Sequence, residues 1–154
     1  MIKLNENAIS IFLSQMKDSV SDNIIIIIVA IFNAAILIVA LIFAKVVAKY
    51  YNNPNEKDLK KHLYYVLDIS YTSFIGIISI FPLLGMLGTV VALIAVGADL
   101  QNIDNIDISK FFLALTSTAY GIIFSIIYKL INSFVQPFIE NQISKAKTIL
   151  KIED

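Results

Sequence analysis

Residues 82–97 read Pro82-Leu83-Leu84-Gly85-Met86-Leu87-Gly88-Thr89-Val90-Val91-Ala92-Leu93-Ile94-Ala95-Val96-Gly97. The stretch is apolar enough to sit in lipid, yet it holds three glycines, a proline and a threonine. On a helix, Gly85, Gly88, Ala92 and Ala95 fall at steps of three, four and three, which draws a stripe of small residues down one face. Helices inside a membrane use such stripes to approach one another closely. Thr89 stands beside the stripe, and Pro82 opens the segment.

The rest of the chain suits that setting. Of its 154 residues, 58% are hydrophobic, and the mean hydropathy is +0.79. A soluble domain needs only about half its residues apolar, and here the excess is clustered. Three stretches reach the roughly 20 residues that cross a hydrocarbon core. The expected class is an all-α integral membrane protein with three transmembrane helices. The chain has no Cys, one His (His62) and no Arg, and its twelve lysines balance twelve acidic residues. Disulfides and thiolate chemistry are therefore excluded, and no basic cluster points to nucleic acid.

In order, residues 1–23 form an amphipathic segment. Ile9, Phe12, Leu13 and Met16 follow helical spacing, which predicts a short helix at the outer membrane surface; a frayed terminus is the alternative. Residues 24–44 form the first transmembrane helix, with Asn33 as its only strongly polar group. Its plain surface suits lipid. Residues 45–68 form a short cytoplasmic loop and helix, with a turn signal at Asn52-Asn53-Pro54-Asn55. An amphipathic pattern from Glu56 (Leu59, Leu63, Val66, Leu67) is expected to run unbroken into the second transmembrane helix, 69–98. An outer loop, 99–107, leads to the third transmembrane helix, 108–137, with a break or kink expected at Gln136-Pro137. The tail, 138–154, is a second amphipathic helix. Tyr64, Tyr65, Tyr71 and Tyr128 lie near span ends and read as interfacial aromatics.

Lysines set the orientation. Segment 45–68 holds five and the tail three, whereas loop 99–107 holds three Asp and no Lys. The N-terminus and the 99–107 loop are thus expected outside, with the 45–68 segment and the C-terminus in the cytoplasm. The second and third helices are long enough to project there as a short stalk.

The third span repeats the small-residue device: Ala114, Thr118, Gly121 and Ser125 fall at steps of four, three and four. One reading of both stripes is helix packing, with Pro82, Gly85, Gly88, Ala92, Ala95, Ala114 and Gly121 serving it. Membrane hydroxyls often bond only their own backbone. The other reading is that Thr89 and Thr118, helped by Ser117 and Ser125, line a polar ion path. No acid or base lies deep in any span; Asp68 and Lys110 sit at edges, and Lys129 can snorkel. A proton carrier needs a titratable group, so a carboxylate for proton transport would have to come from another chain. Enzymatic readings find no support: His62 has no second His or Cys for a metal site, and neither a nucleophile elbow nor a phosphate-cradling glycine loop is present.

Two motifs carry a resemblance. Pro82-Leu83-Leu84-Gly85-Met86-Leu87-Gly88-Thr89-Val90 resembles the P-x-x-G-L-x-G-T-V of the MotA/TolQ/ExbB proton-channel family. Ala114-Leu115-Thr116-Ser117-Thr118-Ala119-Tyr120-Gly121-Ile122 resembles its A-L-x-x-T-A-x-G-L. Their order and separation also fit, nearer the TolQ/ExbB branch and in a short version. The family's Glu before the second motif is Leu113 here, a later proline is absent around Ile127, and the cytoplasmic loop is short.

The resemblance implies a homo-pentameric ring whose second and third spans line a central pore, with the first span facing lipid. It implies a dimer of single-span ExbD/TolR/MotB-like partners inside the ring, each bearing an essential Asp. Thr89 and Thr118 match the polar pore groups beside that Asp. The implied function is an inner-membrane channel and stator subunit that turns proton motive force into mechanical work, with H⁺ or Na⁺ as the coupling ion and no other cofactor. The alternative is a holin-like or scaffold membrane protein whose stripes serve oligomerisation alone.

Overall fold

A computed structural model describes residues 6–21, 23–50, 57–99 and 108–150. Among these, the chain is all-helical: α1 (Glu6–Asp18), α2 (Ile24–Tyr50), α3 (Lys57–Asp99) and α4 (Ile108–Leu150). Ile24–Lys49, Lys61–Ile94 and Ala114–Leu150 are long and apolar enough to cross a membrane. The turn signal at 52–55 and most of the expected outer loop lie outside the described residues.

Local chemistry explains the helix limits. α1 ends where the Ser19 hydroxyl turns back onto the Met16 carbonyl at 3.0 Å. Asn23 then caps α2: its carbonyl accepts the Ile27 N–H at 3.2 Å. Its side-chain amide donates to the Ser19 carbonyl at 3.0 Å. α3 begins at Lys57 and runs without interruption to Asp99, as the pattern from Glu56 predicts. α3 and α4 have 43 residues each, so at ~1.5 Å per residue each is roughly 64 Å long, about twice a hydrocarbon core.

Of the break or kink expected at Gln136-Pro137, the break does not occur: α4 continues through Pro137 to Leu150. Proline removes one helical hydrogen bond, to the carbonyl four residues back. That residue, Ser133, is exposed, as is Pro137, so the unserved carbonyl is not trapped in a core.

The chain packs as two units, 1–29 with 80–125 and 30–79 with 126–154. In the second, α2 buries Ala30, Asn33, Leu37, Ala40, Ala44 and Val47. α3 buries Tyr64, Leu67, Tyr71, Phe74 and Ile78. Both sets alternate steps of three and four, the spacing of a helix-bundle seam. α2 is therefore not uniformly lipid-facing: one stripe is buried, while Ile31, Phe32, Ile38 and Ile42 are exposed. The tyrosines also differ from expectation, since Tyr64, Tyr71 and Tyr128 are buried and only Tyr65 is exposed. The Tyr128 hydroxyl donates to the Ala30 carbonyl at 2.5 Å, and its ring meets Phe74 edge-on. A buried phenol needs such a partner, and the interior supplies one.

Candidate functional site

Both small-residue stripes fall in the unit formed by residues 1–29 and 80–125, and there they face each other. A Cβ built on Gly121 would stand 2.5 Å from the Phe81 carbonyl oxygen and 3.0 Å from the Gly85 Cα. One on Gly85 would stand 3.0 Å from both the Ser117 carbonyl oxygen and the Thr118 Cα. One on Gly88 would overlap the Ser117 side chain, 2.7 Å from its Cβ. The two backbones approach so closely only because these positions lack side chains. Ala92 and Ala114 are buried in the same unit. Pro82 is half-buried, and the side chain of Ala95 is outside the described residues.

The hydroxyls divide into two kinds. Ser117 and Ser125, 6% and 4% exposed, are buried, and Ser117 abuts Gly88. Thr89 and Thr118 are half-buried. The Thr89 hydroxyl donates to the Met86 carbonyl of its own helix at 2.6 Å. The Thr118 hydroxyl reaches across to the Gly85 carbonyl at 3.4 Å. A good O–H···O bond lies near 2.7–2.8 Å, so Thr89 is firmly engaged and Thr118 only loosely. A hydroxyl both donates and accepts; the loosely held one is the freer to serve an incoming group.

Tyr120 adds a contact that the motif did not foretell. Its ring is buried and stacks on Phe124, and its hydroxyl donates to the Met16 carbonyl of α1 at 2.7 Å. Thr116, one turn earlier, is also buried. No local signal announces a bond between residues 104 positions apart. Phe81 and Phe124 close the other flank, with ring centroids 5.8 Å apart.

Residues 66–148 match the MotA/TolQ/ExbB proton channel family, more than half of the chain and both of the facing stripes. The chain belongs to the MotA/TolQ/ExbB family. It is thus a membrane protein of a proton-channel family, one of channels rather than enzymes. Comparison with curated proteins and with solved structures found no match. For this MotA/TolQ/ExbB member the seam supplies neutral donors and acceptors: neither apolar segment, 69–98 or 111–135, contains an acidic residue.

Proposed function

We propose that this chain is the ring-forming subunit of an ion-driven motor in the bacterial inner membrane. Copies assemble as a pentamer around a dimer of single-span partners, and ion-motive force becomes mechanical work through that ring. The N-terminus faces outward and the C-terminus the cytoplasm, where the ends of α3 and α4 project. The observation that carries the reading is the α3–α4 seam itself. It joins two family motifs through Gly85 and Gly121 and leaves Thr89 and Thr118 half-buried at its side.

The chemistry supports a carboxylate from the partner. A proton carrier must titrate, and these two segments offer only hydroxyls and amides at depth. Thr118 then solvates the partner's Asp in either protonation state, while Thr89, whose proton is held by the Met86 carbonyl, accepts from the Asp when it is protonated. Ser117 and Ser125, set inside the seam, serve the path from its wall. The coupling ion is H⁺ or Na⁺. Membership of a channel family favours this reading over a holin-like scaffold.

The test is co-purification in mild detergent followed by native mass spectrometry. Five copies of this chain with two of a single-span, Asp-bearing partner are expected. A stable monomer that retains no partner would refute the assembly.

A further inference from the structure

In the unit formed by residues 30–79 and 126–154, side-chain hydrogen bonds run in a row along α4. The Tyr71 hydroxyl donates to Asn132 Oδ1 at 3.1 Å. Asn132 Nδ2 donates to Gln136 Oε1 at 3.4 Å, and Gln136 Nε2 donates to Glu140 Oε1 at 2.8 Å. Asn132, Gln136 and Glu140 follow at steps of four, so they stack on one helix face. Tyr71 is buried, Asn132 and Gln136 are half-buried, and Glu140 is exposed. The row thus leads from a phenol in the core to a carboxylate at the surface.

Every donor in the row points toward Glu140. An ionised carboxylate only accepts, and a bond onto it is charge-assisted and stronger than one between neutral groups. The bond at Glu140 is indeed the shortest of the three. Each hydrogen bond in a chain polarises the next, so a charge at one end is felt at the other. Tyr71 belongs to α3 and the remaining three residues to α4, so the far end of the row ties two helices together.

We propose that Glu140 is a proton-binding site whose occupancy is passed through Gln136 and Asn132 to Tyr71, where it loosens or tightens the tie between α3 and α4. A proton delivered by hydronium bonds to a carboxylate oxygen and leaves water; no other covalent bond changes. Neutral Glu140 no longer lends charge to the Gln136 bond, and the bonds behind it weaken in turn. The tie is strongest with Glu140 ionised and relaxes on proton uptake. The charged side chains described on the partner helices of this unit are Lys45 and Lys49 on α2 and Lys61, His62 and Asp68 on α3; α4 adds Lys129 before the row and Lys145 and Lys147 beyond Glu140. They do not change which amides stand between it and Tyr71. The inference goes beyond the motor reading and holds whether or not the ring conducts.

The test is a pH titration of the assembled full-length chain followed by NMR. The probes are the side-chain amides of Asn132 and Gln136, the Glu140 carboxyl carbon and the Tyr71 Cζ. All four are expected to shift with one midpoint. Glu140→Gln should abolish the shift at Asn132, Gln136 and Tyr71. Gln136→Leu should leave the Glu140 titration and silence Asn132 and Tyr71; because it keeps the carboxylate, it decides the matter if Glu140→Gln does not fold. Invariant Asn132 and Tyr71 signals in the wild type would overturn the proposal. So would shifts there that survive Gln136→Leu.

Discussion

Gly121 lies so close to Phe81 that a Cβ on the glycine would stand 2.5 Å from the Phe81 carbonyl oxygen. A carbonyl in a helix cannot swing aside as a flexible side chain can, so the helices themselves must part. Gly121→Ala should therefore destabilise the α3–α4 seam by about 1–3 kcal/mol, the usual cost of overpacking. Gly76 supplies the control: nothing lies within 4 Å of the Cβ position there. Gly76→Ala should be neutral or stabilise α3 by about 0.5–1 kcal/mol, as alanine does in a helix interior. Thermal unfolding of both variants in detergent checks the contrast. Equal behaviour would show that the close approach carries no energetic weight.

The loose bond from Thr118 to the Gly85 carbonyl makes a second prediction. Thr118→Val keeps the shape and removes the hydroxyl. Structurally the loss is small, because this O–H···O bond, at 3.4 Å, is well beyond the usual hydroxyl distance. In the proposed ring, where Thr118 would solvate a partner Asp, the loss of a buried hydrogen bond would cost about 1–3 kcal/mol. Thr118→Val is thus expected to assemble normally and to lose ion-coupled work, with Thr118→Ser keeping part of it. Thr89→Val should act more mildly, since its hydroxyl is already spent on Met86. Assembly and activity must be measured on the same preparations. Full activity in Thr118→Val would remove Thr118 from the ion path.

Asn33 presents the opposite case. It is fully buried in α2, and neither its amide nitrogen nor its oxygen has a hydrogen-bond partner. An unsatisfied buried amide costs about 1–3 kcal/mol, and an apolar group of like shape avoids that cost. Asn33→Leu should raise the unfolding temperature. A fall would mean that Asn33 is satisfied in the assembled protein, by a change of rotamer or by water.

The orientation is testable because the chain contains no cysteine. Lys60→Cys and Lys147→Cys should both react with a permeant thiol reagent. Neither should be protected by an impermeant reagent applied from outside the cell. Protection of either from outside would invert the proposed topology.

The sequence by itself determined that the chain is helical and that three of its stretches are long and apolar enough to cross a membrane. These follow from composition and the 3.6-residue period, and both act within a single segment. It also determined that the two small-residue stripes exist, because glycine spacing is local. Tertiary structure decided that the stripes meet each other: Gly121 stands against Phe81 and Gly85, residues far away in the chain, and no periodicity says which helix a stripe will find. It likewise turned Tyr71 and Tyr128 inward, since a phenol buries only where a distant acceptor waits, here Asn132 and the Ala30 carbonyl. It carried α4 through Pro137, where the rule for proline predicts a break but the exposed position tolerates the missing bond. The hydroxyls show the same division. Sequence placed Ser117, Thr118 and Ser125 near one face of α4, and packing then buried the serines and left Thr118 half open, because side-chain exposure depends on what the neighbouring helix covers.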